Sequence, residues 1–200
     1  ARIMMPVIGV DGCPGGWIAV RWAETVSHHL CRSFAEVAAM DAAVIAVDMP
    51  IGFPQGSGRV AEREVRQRLG ARQSSVFSVP SRAAIYARDY GEACRIASET
   101  SEPPRKVSKQ LFNIAPKIRE VDECLRANTI AAKHTFEVHP EVAFWRLNRG
   151  QALMEPKKVK GRCHDPGLQL RWNLLIASGF PTGAVNAAPP KGAGPDDLLD

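Results

Sequence analysis

What this sequence lacks narrows its class first. No apolar run approaches the roughly 20 residues that cross a bilayer, so a membrane-spanning helix is excluded. The five cysteines, at 13, 31, 94, 124 and 163, are odd in number, irregular in spacing and without a CxxC pair; neither a disulfide framework nor a zinc ribbon follows. The opening Ala1–Pro6 is no apolar leader, and with unpaired thiols it points to a reducing, cytoplasmic setting. Internal repeats and low-complexity tracts are absent. Aromatics are only 6% of the chain, so Trp17, Trp22, Trp145 and Trp172 are expected in the core rather than as stacking platforms for bases. A net charge of +5 is compatible with a polyanionic partner without demanding one.

What is present is an α/β pattern in 200 residues, long enough for one domain with a real core. "VIGVDGCPGGWIAV" opens it: an apolar strand over 7–11, a Pro-Gly turn suited to type II geometry, and a second strand over 16–22, hence a hairpin. Residues 26–33 read as a third strand and 34–42 as a short helix. "VIAVDMPIGFP" holds a strand over 44–47, apolar on both faces. Residues 57–128 read as a helical insertion. Its Arg-rich helix starts at Ser57 or Gly58 and closes at Gly70, and a polar connector leads to a helix over 82–98. Val107, Leu111, Ile114, Ile118, Val121 and Leu125 then recur at steps of four and three, the period of an amphipathic helix, with Pro116 expected to kink it. A strand over 134–138, a helix from Pro140, a basic loop and a helix over 167–179 follow. The closing "DDLLD" reads as the first turn of a helix cut short at Asp200.

Three acids, Asp11, Asp48 and Glu137, stand at or next to the C-terminal ends of separate strands. If those strands share a sheet, the acids open at the edge where α/β folds place ligands. Asp197 and Asp200, three apart, share one face of the last turn. Carboxylates from rigid elements suit a hard cation, Mg²⁺ or Mn²⁺, and paired ions drive phosphodiester chemistry. Each acid also has a plainer reading. Asp11 and Asp48 would cap turns, Glu137 would pair with an arginine, Asp196 would be a helix N-cap and Asp197 would sit favourably near a helix start.

Six segments, "VIGVDGCPGGWIAV", "VIAVDMPIGFP", "GARQSSVFSVPSR", "SKQLFNIAPKIREVD", "FEVHPEVAFWRLN" and "DDLLD", taken in this order, resemble the family called domain of unknown function 429. That family is described as predicted nucleases of ribonuclease H-like fold. The resemblance implies a five-stranded mixed sheet, an antiparallel hairpin followed by parallel crossings, with helices on both faces. It implies metal ligation by Asp11, Asp48, Asp197 and Asp200, with Asp11 and Asp48 as the strand acids. Glu137, His139 and Glu141 match its "ExHPE" segment. At Ala61 and Glu62 the chain departs from the family's Cys-Asp.

His139, two residues from Glu137, is the residue best suited to proton transfer near neutral pH. Glu141 reads either as a first-turn dipole partner or as part of the site. Arg59, Arg66, Arg72, Arg82 and Lys117 are the expected grip on a nucleic-acid backbone; a second basic cluster holds Lys157, Lys158, Lys160 and Arg162. Ser74, Ser75 and Ser78 beside Arg72 are a weaker phosphate cradle. Three functions stay open on this reading. The first is a metal-dependent nuclease whose catalytic set is Asp11, Asp48, Glu137, His139 and Asp200. The second is an actin/hexokinase-like phosphotransferase or nucleotide hydrolase closing "DGCPGGW" over a phosphate. The third is a non-catalytic interaction module.

Overall fold

The structure is a computed structural model that describes residues 5–56, 58–185 and 187–200. Ser57, one expected start of the Arg-rich helix, lies outside them. The hairpin forms as its sequence demands: β1 (Val7–Cys13) and β2 (Gly16–Trp22) are antiparallel, with Asp11 level with Ile18. Gly16 has φ 126°, and a Cβ there would lie 2.3 Å from the Cys31 carbonyl oxygen, so only glycine fits. β3 (Val26–Cys31) adds beside β2, and helix α1 (Phe34–Ala38), capped by Ser33, leads to β4 (Val44–Val47), which runs parallel to β1.

The middle of the chain is helical: α2 (Val60–Leu69), a 3₁₀ turn over Gly70–Ser75, α3 (Arg82–Ile85), α4 (Tyr90–Glu99), α5 (Lys109–Ala127) and α6 (Thr129–His134). The helix expected over 82–98 is two. Tyr86 ends α3, and the Asp89 carboxylate accepts from the Glu92 N–H to cap a new start. In α5 the expected stripe holds: Leu111, Ile118, Val121 and Leu125 are buried, and the helix continues through Pro116. β5 (Thr135–Glu137) then pairs parallel with β4, giving a five-stranded mixed sheet of order β3-β2-β1-β4-β5. α7 (Pro140–Leu147), a two-stranded ribbon of β6 (Lys158–Val159) and β7 (Arg162–Cys163), α8 (Asp165–Ala177) and α9 (Thr182–Val185) complete the elements. The expected basic loop is therefore a small hairpin. Residues 195–199 form turns, with the Leu198 N–H donating to the Gly194 carbonyl, and not a helix. Among the described residues no helix is long and apolar enough to cross a membrane.

One face of the sheet carries Ile8, Val10, Trp17, Ala19, Ile45 and Val47 into the main core, against Phe34, Val37, Leu111, Ile118 and Val121. Trp17 is fully buried there, its indole N–H donating to Glu120 Oε2 at 3.1 Å. The other tryptophans are only half-buried: Trp22 meets Phe180 edge-on, and the Arg68 guanidinium lies over Trp145. The opposite face, holding Gly9, Asp11, Ile18 and Val20, is covered more thinly by Leu175, Phe180, Leu198 and Leu199. About 150 Å³ of empty space remains between them.

α7 and α8 are tied by a buried ion pair. The Arg171 guanidinium, 0% exposed, donates to both Glu141 oxygens at 2.8 Å and to the carbonyls of Glu155 and Gly167. Gly167 lies so close beneath the 156–157 backbone that a Cβ would sit 1.9 Å from the Pro156 oxygen. This close approach seats the segment that carries Lys157.

Candidate functional site

Register decides where each strand-end acid goes. Val10 pairs with Val47 across the parallel β1–β4 ladder, and the Asp48 N–H donates to the Val10 carbonyl at 3.0 Å. Asp11 and Asp48 are thus the next residues on adjacent strands, which run about 4.8 Å apart, and alternation sends both side chains the same way. Glu137 is level with Val47, one position short of Asp48. Alternation turns it toward the other face. There Arg59 grips it with two hydrogen bonds of 2.6 and 2.8 Å, and the Ile51 N–H donates to it at 2.8 Å.

Asp11 and Asp48 open into a cleft also lined by His139, Glu141, Lys157 and Asp200, about 410 Å³ in volume. The final turn supplies Asp196, Asp197 and Asp200. Asp196, expected as a helix N-cap, instead pairs with Lys158 at 2.5 Å, and the described residues after it form turns. Against burial, that pair holds its carboxyl below the usual carboxylate value. The Asp197 carboxylate accepts from the Gly194 N–H at 2.7 Å. Asp200 pairs with Lys157 through one oxygen, while its Oδ1 is buried with no hydrogen-bond partner.

The acids share too little positive charge. Asp11 accepts one hydrogen bond, from the Gly12 N–H at 2.7 Å, and has no cation of its own. Burial, then Asp200, Asp48 and Asp197, pushes its carboxyl up to about 8. Burial and then Asp200 push Asp48 up to about 7, with Lys157 opposing. Burial likewise raises Asp197, and raises Asp200 against the pull of Lys157. Burial lowers His139, whose Nε2 faces the Ser75 carbonyl at 3.4 Å and whose Nδ1 has no partner.

Among the described residues no three His, Cys, Asp or Glu side chains are already drawn around one point. The chemistry of the set nevertheless fits a hard divalent cation. Mg²⁺ keeps most of its waters and takes one or two carboxylates from the protein. Asp11 and Asp48, on neighbouring strand ends and with no ion pair of their own among the described residues, would suit that role, with the unsatisfied Asp200 Oδ1 and Asp197 beside them. Repulsion among buried acids is the deficit that such a cation removes.

This deficit sets a pH dependence. Asp11 and Asp48 move from an ordinary 3.8 to about 8 and about 7 on folding, so the native state binds more protons than the unfolded chain between those values. Their contribution to stability is complete below pH 3.8 and is lost as pH rises through 7 to 8. With chelator present, the melting temperature should therefore fall by several degrees between about pH 5 and about pH 8.5. Mg²⁺ or Mn²⁺ should restore it at the higher pH and do little at the lower. A melting temperature that ignores the metal across this range would sink the deficit argument.

The basic residues divide sharply. Arg59 is bound to Glu62 and Glu137, Arg66 to the Val76 carbonyl and Ser78, and Arg82 to Asp122, away from the acids. Lys117 lies over Trp17 with its ammonium on the Gly16 carbonyl. Arg72, by contrast, lines the cleft with Ser75, and its Nε is buried without a partner. Lys157 and Lys158 were legible only as a basic cluster; their place at the acids is set by partners some 40 residues on.

The sequence matches the profile described as "Protein of unknown function (DUF429)" over residues 9–200. The chain belongs to the DUF429 family. No curated protein and no solved structure matches it. The DUF429 match runs from the first strand through the last acid, so every residue of the cleft falls inside the family region. Glu141, within the DUF429 "ExHPE" segment, faces this cleft yet has both oxygens on Arg171, which makes it the anchor of α8.

Proposed function

We propose that this protein is a ribonuclease H-like, divalent-metal-dependent nuclease that hydrolyses phosphodiesters in nucleic acid. One observation carries the reading: Asp11 and Asp48 stand side by side on β1 and β4, with no ion pair of their own among the described residues, in a cleft closed by Asp197 and Asp200. The sheet order, with an antiparallel hairpin followed by parallel strands, supports the fold assignment.

Asp11 and Asp48 would hold Mg²⁺ or Mn²⁺, with Asp197 and Asp200 completing the set. When bound, the metal supplies charge to activate water and to stabilise the leaving oxygen. The chain's own residues do the rest. Lys157, Lys158 and Arg72 line the same cleft and would meet a phosphate there. Burial favours the uncharged form of His139, and its unpartnered Nδ1 would be the proton acceptor. Glu137 acts by position: it fixes Arg59 and the Ile51 backbone beneath the cleft. Free thiols at all five cysteines suit a cytoplasmic setting.

The phosphotransferase reading loses its main support, because the glycine turn is occupied. The Gly12 N–H donates to Asp11 and the Gly15 N–H to the Gly192 carbonyl, so these donors are not free to cradle a phosphate. The test is incubation with single-stranded, duplex, hybrid and branched substrates in Mn²⁺ or Mg²⁺. Metal-dependent cleavage of at least one is expected; silence on all of them refutes the reading.

A further inference from the structure

A second cavity of about 210 Å³ adjoins the acid cleft, and Asp11, Asp48 and His139 line both. It runs between α2, the 76–79 segment and α5, with Val65, Phe77 and Ile114 as apolar walls. In this wall stands Glu62, 3% exposed. Its Oε1 is fully used, accepting from the Arg59 Nε–H at 2.9 Å and from the Val79 N–H at 3.1 Å. Its Oε2 accepts nothing. Arg66 Nη1 stands 3.8 Å from it, beyond hydrogen-bond reach, while Nη2 donates to the Val76 carbonyl and Ser78.

A buried acceptor left open costs on the order of 1–3 kcal/mol, and native proteins keep few of them without a use. An acidic wall rejects phosphate, and an apolar one rejects a charged side chain. At about 210 Å³ the space suits one ring system and falls below the roughly 300 Å³ of drug-sized pockets. Beside a cleft built for a phosphodiester, the group with an apolar face, this size and N–H donors on its edge is a nucleobase.

Resting on the nuclease reading, we infer that this cavity receives one unstacked base, selected for an exocyclic amine that donates to Glu62 Oε2. Cytosine, adenine and guanine each present such an amine. Uracil and thymine present a ring N–H between two carbonyls, which would face the carboxylate unfavourably. The base must leave its stack to enter, so the preferred strand is single at that point.

Cytidine and uridine monophosphates, titrated by calorimetry into the full chain with Mg²⁺, read this without cleavage. Cytidine monophosphate should bind at least about tenfold more tightly. In Glu62→Gln the amide oxygen stays at the Oε1 position, where two donors hold it, so an N–H₂ replaces Oε2 and the preference should reverse toward uridine monophosphate. Ala61→Trp, at an exposed position on the cavity rim, should block both ligands with an unchanged melting temperature. Equal affinities in the wild type, or binding that survives Ala61→Trp, would overturn the inference even if Glu62→Gln fails to fold. Base selectivity without cleavage would refute the nuclease reading alone; cleavage without base selectivity would refute this inference alone.

Discussion

Asp11→Asn should abolish metal-dependent cleavage and, at alkaline pH without metal, make the protein more stable. The two effects share one cause. Asp11 lies among Asp48, Asp197 and Asp200 with a single backbone hydrogen bond in compensation. Loss of a metal-holding carboxylate removes several kcal/mol of transition-state stabilisation, so activity should fall at least about 10³-fold, at 1.36 kcal/mol per factor of ten. The amide is neutral and nearly isosteric. At about pH 8.5 the wild-type carboxyl is charged in a buried site, and the variant should gain on the order of 2 kcal/mol, a rise of some 4–8 °C in melting temperature. The gain should shrink as pH falls and close below about pH 3.8, where the carboxyl is neutral in the folded and unfolded chain alike. Asp48→Asn should behave alike with a smaller stability gain, since its carboxyl rises only to about 7. Loss of activity together with loss of stability at every pH would mean that Asp11 supports the fold instead.

Glu141→Ala should be the most destabilising of the acid substitutions, by about 3–5 kcal/mol, because it strands a fully buried guanidinium. Chemical denaturation should show the loss as a lower midpoint with an unchanged slope. Replacing both partners, Glu141→Leu with Arg171→Met, should recover most of it, since a buried pair exchanged for packed hydrocarbon is close to neutral. A single substitution costing less than about 1 kcal/mol would show that the pair is solvated and does not anchor α8.

Much of this architecture was legible in the chain itself. The apolar runs ending in Asp11 and Asp48, the Pro-Gly turn and the stripe from Leu111 to Leu125 are local signals, and the structure keeps them, while Val107 precedes the Ser108 cap of that helix. Local signals also misled. Residues 82–98 read as one helix, but Asp89 caps a new one. Glu137 had the same sequence signature as Asp11 and Asp48; its register gives it to Arg59, as its plainer reading expected, while it still lines the adjoining cavity with both aspartates. Asp196 resembled an N-cap until Lys158 claimed it. The pairings Glu141–Arg171 and Lys157–Asp200 join residues 30 and 43 apart, a separation that no periodicity encodes.

The Lys157–Asp200 contact ties the cleft to the very last residue described, while Asp11 comes from the first strand. These acids therefore assemble only when the 195–200 turn has docked against the first strand. A nick just before residue 195 should silence any chemistry they perform without touching the sheet.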